Sequence, residues 1–564
     1  MLGGAEGTAA LDLTAVDIAA LASGFSAVTI GRTDGSGLLT VSSALTFINA
    51  LVLRTAGTGS VAVDAALALG GNSLTISSGS VAVSAAGSIS MGALSISADE
   101  IDFNGGANSI SGTGTLSLQV FTSTHLIVLG DVEGTAALDL TATDIAALAN
   151  GFILITIGAS TQTGAITVNT ATFVDPLLLV SAGGITLAGT LTTTGALTLT
   201  AAVTLDTNST LASNGGNILF NNTINGSRTL AITAGSGSVT FSASIGATTA
   251  LTSLAVSSTH STGITLAANV TTTGAQAYTG RVTLADAITL AGASTAFSAA
   301  LAANAFALTI SADEIDFNGG TGSVSGTAAL VLQPLTVTEV QVGGSTGTAA
   351  LDLTVTDIAA LADGFSSLTI GSASSTLYMK LDGTSLFLAP IALRTAADGS
   401  IEVMGALTAP QVTITTDGLT LAGSVTSAGR ITVQPATSGR GISIISTSAI
   451  APAATLVLRD SNLSNTTATA LVLGNATTGA ISLESNFSLG NTPTLHLISG
   501  STVSQSDRFV VVNLAVSSAG AITLLSSDND ITTLAMAAAT GNIQFAQARS
   551  FTVGTVDGDR KSVV

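Results

Sequence analysis

The densest set of oxygen donors in this 564-residue chain lies in a short motif written twice. Ile96–Gly106 and Ile310–Gly320 both read ISADEIDFNGG, so Asp99, Glu100, Asp102 and Asn104 recur as Asp313, Glu314, Asp316 and Asn318. Carboxylate and amide oxygens at this density suit a hard cation such as Ca2+. The candidate ligands are Asp99, Glu100, Asp102, Asp313, Glu314 and Asp316. Strand alternation offers a competing reading. It places Glu100 and Asp102 on one face and Ile101 and Phe103 on the other, as in a solvated face opposite a core face. No GGxGxDxUx nonapeptide follows, so the calcium-roll repeat is absent. The solvated face is preferred, and Ca2+ is kept as the alternative.

Other candidate chemistry is sparser. The three histidines, His125, His260 and His496, stand in the unrelated contexts STHLIV, STHSTG and TLHLIS. None has partners at the spacing of a metal site or a nucleophile–base pair, so structural or surface roles are expected. Asp12, Asp139 and Asp352 recur inside ALDL, but one acid per widely spaced copy does not make a pair of carboxylates within one layer. A carbohydrate-cleaving groove would also want aromatics and bases, and the chain has two tyrosines, Tyr278 and Tyr378, with basic residues scattered singly. The triplets Thr192-Thr193-Thr194 and Thr271-Thr272-Thr273 suggest a hydroxyl array for ice. The third copy reads Thr426-Ser427-Ala428, which breaks the array. No catalytic residue and no cofactor are assigned, and the chain is read as non-enzymatic.

Composition narrows the classes further. There is no cysteine, which removes disulfides, thiolate metal sites and a Cys nucleophile. Thirteen Lys and Arg in a chain of net charge −20 give no basic footprint for nucleic acid. Only 8% of residues are charged, against roughly 25% in an ordinary soluble domain. No run of about 18 apolar residues exists, so no transmembrane segment is expected. The apolar residues are spread thinly and evenly, as a narrow core repeated many times requires.

The elements that would carry these residues are repeats. GTAALDLTAVDIAALASGF at Gly7–Phe25 returns with small changes at Gly134–Phe152 and Gly347–Phe365. Each copy leads into a run ending Thr-Ile-Gly, at Gly31, Gly158 and Gly371. GITLAGTLTTTG at Gly184 returns as GITLAANVTTTG at Gly263 and GLTLAGSVTSAG at Gly418, and LRTA occurs at Leu53 and Leu393. The first motif is spaced 127 residues (7 to 134) and then 213 (134 to 347). A stack of equivalent layers absorbs the extra 86 residues more readily than a globular core, because each layer touches only its neighbours. The sequence units are 1–133, 134–346 with additional coils, 347–558, and a tail at 559–564.

Between the long motifs, apolar residues alternate and break at Gly, Asn or Asp. The pairs Ile185/Leu187, Leu197/Leu199, Val203/Leu205, Ile218/Phe220, Leu230/Ile232, Val239/Phe241, Ile264/Leu266 and Val282/Leu284 carry the pattern. Period two is the strand signal. Equivalent starts such as Ile185 and Val203 lie 18 apart, so one turn is expected to take about 18–25 residues. The expected fold is all-β: a right-handed parallel β-helix, or β-solenoid, of about 25–30 turns. Its Leu, Ile, Val and Phe stack inward, and its Thr and Ser form outward ladders. About three short helices are inserted. Thr14 and Asp17 read as a capping box, with Ile18 and Leu21 following, Gly24 as the left-handed stop and Phe25 packing back on Ile18 or Leu21. Thr141, Asp144 and Gly151 repeat the arrangement, as do Thr354, Asp357 and Gly364.

Turns of GxITL and GxLTL type, the Thr/Ser/Ala/Gly bias and the LDLTxxDIAALAxGFxxxTIG block resemble giant surface proteins of Gram-negative bacteria. These are the filamentous-haemagglutinin-like exoproteins, other β-strand-repeat adhesins and autotransporter passengers. The resemblance implies a secreted, outer-membrane-associated or cell-surface protein working in adhesion, cell aggregation or biofilm formation. It implies contacts with host or neighbouring-cell glycans or proteins, and carries over no catalytic residue. Two other roles are open: a self-associating surface-layer or extracellular-matrix protein joined through solenoid ends, and a calcium-stabilised carbohydrate-binding solenoid. The chain is expected to be an interior fragment. Met1-Leu2-Gly3-Gly4 runs straight into a repeat without a basic or apolar leader, and residues 559–564 match what GAT-CGG-AAG-AGC-GTC-GTG, a sequencing-adapter string, encodes.

Overall fold

The computed structural model describes residues 1–5, 11–132, 134, 137–344 and 350–558. The tail at 559–564, and Gly7 and Gly347 at the head of two motif copies, lie outside them. Strands hold 47% of residues and helices 4%, and the strands form parallel stacked coils, a β-solenoid of about 25 turns. The chain divides into two compact units, Met1–Thr283 and Leu284–Val564.

In the first unit, strands one coil apart pair in parallel and in exact sequence order. Ile166–Val168, Ile185–Leu187 and Val203–Leu205 stack with Ile166 on Ile185 on Val203, and with Val168 on Leu187 on Leu205. A second row stacks Leu39, Val61, Val81 and Ile101, with Val41, Val63, Val83 and Phe103 beside it. The steps along these rows fall within the expected turn length. Every member of the eight alternating pairs is at most 4% exposed. Period-two alternation turns one side chain in and the next out, and parallel register then sets like on like. Aromatic residues obey the same rule: the Phe220 and Phe241 rings stack with centroids 5.2 Å apart.

The second unit repeats the construction. Ser367–Ile370, Ile391–Arg394, Val412–Thr415 and Arg430–Gln434 pair in order, placing Leu368, Ile391, Val412 and Ile431 in one row. The two LRTA segments hold equivalent places. Each lies one coil after a Thr-Ile-Gly strand, in Leu51–Arg54 and Ile391–Arg394. Gly31 and Gly371 close those strands at φ +96° and +88°, and a Cβ there would lie 2.0 Å from the Arg54 carbonyl oxygen and 2.2 Å from that of Arg394.

Among the described residues, four short helices interrupt the coils: α1 (Ala15–Ala19), α2 (Ala142–Ala147), α3 (Val355–Ala360) and α4 (Asp460–Leu463). The first three carry the full capping box expected of them. Each sits in an excursion from the stack. Leu126–Leu129 pairs with Ala137–Leu140 on one side and with Ile166–Val168 on the other, so the chain doubles back before α2 and rejoins the coil afterwards. Glu339–Val342 does the same before α3, and Gly441–Ile445 before α4. The fourth helix was not expected. Its N-cap is Arg459, which makes no side-chain cap, so the Thr-x-x-Asp signal is missing.

Two local expectations are corrected. Gly24, Gly151 and Gly364 do have positive φ, at +114°, +140° and +125°, but they lie beyond the helix stop. The residue after α2, Leu148, is extended and bridges to Ile110, so tertiary pairing ends the helix. The aromatic residue after that glycine meets the neighbouring coil: Phe152 and Phe365 are buried against Gly112 and Gly326 of the preceding coil, and Phe25 is exposed.

Glycines fill the corners where neighbouring coils come closest. A Cβ at Gly405 would stand 1.6 Å from the Gly383 carbonyl oxygen, whereas one at Gly71 meets nothing within 4 Å. Gly405→Ala is therefore expected to cost more than about 2 kcal/mol, by forcing two coils apart, and Gly71→Ala to lie within about 0.5 kcal/mol of the parent. Chemical denaturation of the two variants checks this; equal losses would remove the steric account.

Candidate functional site

The acids singled out from the sequence meet the helical excursions. Strand Glu100–Phe103 packs against Ala137–Leu140 and α2, and Glu314–Phe317 packs in the same way against Leu351–Leu353 and α3. Ile101, Phe103, Ile315 and Phe317 point into the core, and Glu100, Asp102, Glu314 and Asp316 are half-buried on the other face. This is the alternation expected. The excursion turns that face into a junction between coils.

The cap acid of each helix ties the junction together. Asp144 Oδ2 accepts from the Thr141 backbone N–H at 2.8 Å and from its hydroxyl at 2.6 Å. Asp144 Oδ1 reaches across to the Phe103 N–H at 2.7 Å. Asp357 repeats the arrangement, with the Phe317 N–H at 2.8 Å and the Thr354 N–H at 2.9 Å. One carboxylate thus caps its own helix and satisfies a backbone donor some forty residues away. A carboxylate accepting several N–H bonds is a strong tie, because each bond is charge-assisted.

The remaining acids crowd the same place. Glu314 is pushed up to about 7 by burial and by the charges of Asp316, Asp352 and Asp357. Burial and Asp357 raise Asp316 as well. In the first unit, Asp139 is raised by burial, with Asp131 and Asp144 adding to it against a bond from the Gly134 N–H. Two of the ALDL acids therefore do meet other carboxylates: Asp139 meets Asp131 and Asp144 around its own excursion, and Asp352 meets Glu314 of the neighbouring coil.

Asp99 and Asp313 face elsewhere. Asp99 accepts from the Thr122 N–H at 2.7 Å and hydroxyl at 2.6 Å, and lies 2.9 Å from His125 Nδ1. Asp313 accepts from the Leu335 N–H at 3.0 Å, the Thr336 N–H at 2.7 Å and the Thr336 hydroxyl. Asp417, which the sequence did not single out, holds the Thr437 N–H at 2.9 Å and the Asp398 N–H at 2.8 Å. Burial opposes ionisation at all three. The threonine hydroxyl and amide bonds outweigh it, with His125 helping at Asp99, and hold each carboxyl below its ordinary value. These acids are corner ties between successive coils. Among the described residues, no three His, Cys, Asp or Glu side chains are grouped to hold a metal ion.

His260 and His496 are engaged locally: His260 Nδ1 lies 2.8 Å from the Thr262 hydroxyl, and His496 Nδ1 lies 2.8 Å from Asp557 Oδ2. Tyr278 is sealed in the core with its hydroxyl donating to Gln276 Oε1 at 3.0 Å, and the Tyr378 hydroxyl donates to Glu402 at 2.7 Å. In the threonine triplets, Thr193 and Thr272 turn inward and donate to the carbonyls of Gly195 and Gly274, so the triplets are not flat outward arrays. One feature of the helical motif was invisible in sequence. The N–H of Gly24 donates to Asn49 Oδ1 at 3.0 Å, and that of Gly151 to Asp175 Oδ1 at 3.1 Å. The acceptor belongs to the next coil, about 25 residues on, and the third copy has Ala389 there.

Among the described residues, no helix is long and apolar enough to cross a membrane. No known family model matches the chain, and neither do any curated proteins or solved structures.

Two outcomes follow for the junction. Ala389→Asn supplies the acceptor missing below Gly364 and is expected to stabilise the chain by about 1 kcal/mol, whereas Asp175→Ala destabilises by about 1–3 kcal/mol by stranding the Gly151 N–H. Denaturation midpoints measure both, and a neutral Asp175→Ala would discount the bond. The fold favours protonated Glu314, so that contribution is intact below the ordinary value of 4.5 and is lost as pH rises through about 7. Glu314→Gln should therefore raise the melting temperature at pH 8, with the gain vanishing by pH 4. A gain that is the same at both pH values would mean that charge crowding is not its cause.

Proposed function

We propose that the chain is a non-catalytic structural and adhesive repeat region of a large secreted bacterial cell-surface protein. The observation that carries this reading is the stacking itself: parallel coils in register, with like residues on like. Such a stack extends by adding layers, and each layer costs only the contacts it makes with its neighbours. The outer surface supports the same role. It is poor in charge, rich in Thr, Ser and Ala, and acidic overall, which limits nonspecific attraction to anionic surfaces. The resemblance to giant β-strand-repeat exoproteins points the same way, toward contact with glycans or proteins on host or neighbouring cells.

The test is direct. Beads coated with the purified chain are expected to bind bacterial or host cells and to promote clumping, and free chain in excess should compete. Beads that remain inert, together with ordered arrays of the free chain in electron micrographs, would replace adhesion with a surface-layer or matrix role. Binding that disappears in chelator and returns with Ca2+ would favour the calcium-stabilised carbohydrate-binding alternative.

A further inference from the structure

The excursions that carry α2, α3 and α4 each close a seam between two strands, and the last seam is filled differently from the other two. Glu100–Phe103 faces Ala137–Leu140 and α2, Glu314–Phe317 faces Leu351–Leu353 and α3, and Gly418–Leu421 faces Thr455–Arg459 and α4. Helix starts and strand ends make the positions equivalent. Thr141, Thr354 and Arg459 are the N-caps, and Asp144, Asp357 and Asn462 stand three residues after them. Asp139 and Asp352 stand two residues before their caps, as Val457 does before Arg459. Phe103 and Leu421 each precede the residue that rejoins the earlier coil: the Asn104 N–H donates to the Val83 carbonyl at 2.8 Å, and the Ala422 N–H to that of Val403 at 2.9 Å. Glu100 and Asp102 therefore correspond to Gly418 and Thr420. The four carboxylates of an acidic seam have become Gly418, Thr420, Val457 and Asn462, and the cap threonine has become an arginine.

All five of these positions line a cavity of about 420 Å³ at the third seam. That falls within the size range of small-molecule sites, roughly 300–1,000 Å³. The donors there are placed but not used up. Arg459 Nη1 donates to the carbonyls of Ser446, Thr447 and Ala449 at 2.9, 3.3 and 2.7 Å, which holds the guanidinium. Its Nε and Nη2 carry no bond among the described residues. Leu419 also lines the cavity. The Gly418 and Ala422 N–H groups donate to the earlier coil, so alternation turns the Leu419 N–H into the seam. In the first seam the equivalent Ile101 N–H donates to Glu100 Oε1 at 3.0 Å, and Gly418 has no such side chain to offer. Asn462 has also changed the sense of its tie: it donates to the Leu421 carbonyl at 2.9 Å, where Asp144 accepts from the Phe103 N–H. The nearby acids are committed elsewhere. Asp417 holds the Thr437 and Asp398 N–H groups and lies 3.5 Å from Arg440 Nε, and Asp460 accepts from the Thr447 and Ser485 hydroxyls. The third seam thus keeps a backbone donor that a carboxylate satisfies in the first seam, adds a guanidinium, and has lost every seam carboxylate.

We propose that this cavity binds the carboxylate of a small external acid, held between the Arg459 fork and the Leu419 N–H. A planar fork matches a carboxylate with two parallel bonds, which a single ammonium does not. The source in view is a hexuronate unit of an acidic glycan, and that source rests on the adhesive reading; the carboxylate site itself does not.

The experiment titrates the full chain with galacturonate and follows binding by ligand-observed NMR. Galacturonate is expected to bind with a dissociation constant of about 1 mM, as suits a ligand of its size. Neutral galactose and inorganic phosphate should each bind at least about tenfold more weakly. Arg459→Lys, which keeps the charge without the fork, is expected to weaken galacturonate at least about tenfold. Thr420→Asp restores an acid that the other seams carry, at an exposed position, and should abolish binding without shifting the melting temperature. No binding by the parent chain, equal binding of phosphate or galactose, or binding untouched by both substitutions overturns the proposal. A galacturonate oligomer that binds at least as tightly as the monomer supports the glycan source; a monomer that binds while the oligomer does not supports the site with a free organic acid as its ligand. Galacturonate binding by a chain whose coated beads adhere to no cell would retain the site and remove the adhesive reading.

Discussion

A backbone that bonds only to the coils on either side of it cannot change its step. In each unit, the N–H and C=O groups of one strand are satisfied by the strands one turn before and one turn after. Parallel register then fixes which residue sits on which, and a slip of one would turn the whole aliphatic row outward. Everything else in the fold adapts to that constraint. Corners are built of glycine where a neighbouring carbonyl oxygen occupies the space that a Cβ would need. The helical excursions leave the stack and return to it in register, as when Thr115–Gln119 takes Leu154–Ala159 as its next neighbour. A loop may grow between two layers, but the layers themselves may not shift.

The narrow interior raises a second problem, since each corner buries polar backbone. Inward hydroxyls meet it. Ser78 donates to the Gly59 carbonyl at 3.0 Å, Ser181 to Gly164 at 2.7 Å, Ser258 to Gly237 at 2.7 Å, Thr416 to Gly399 at 3.0 Å and Ser499 to Gly479 at 2.7 Å. Each is buried, and each reaches back to the coil before it. A small hydroxyl supplies a donor without demanding volume, and an unsatisfied buried carbonyl would cost about 1–3 kcal/mol. The Ser and Thr abundance thus serves the inside of the stack as well as its surface.

How much of this was legible follows from the range of each interaction. Alternation is local, so the aliphatic pairs from Ile185/Leu187 to Val282/Leu284 could be placed inside from sequence alone. The capping boxes span three residues, so α1, α2 and α3 were legible, while α4, with Arg459 at its cap, was not. The corner ties were hidden, because Asp99 and Asp313 find their threonines 23 residues on, in the next coil, and nothing in a linear pattern joins them. The inward hydroxyls were hidden for another reason: Ser and Thr read alike whichever face they occupy. Glu100 and Asp102 were placed on the right face, but that face meets an excursion, whose return path is set by tertiary pairing.

The cap acid shows why the excursions are so short. A helix of five or six residues has too few internal bonds to offset the cost of nucleation, so it holds only when something outside it contributes. In α2 and α3 the same carboxylate closes the helix start and accepts a backbone N–H from the strand beneath, so forming the helix and docking it are one event. Separating them would strand the Phe103 or Phe317 donor against a buried face. In α1 the cap is made and Asp17 is held below its ordinary value by the Thr14 hydroxyl and amide, without a bond from a neighbouring coil among the described residues. The motif therefore specifies a turn of helix by itself and specifies its seat through one additional lone pair. That economy lets the same nineteen-residue block be written into the stack wherever a Glu-Ile-Asp-Phe coil precedes it.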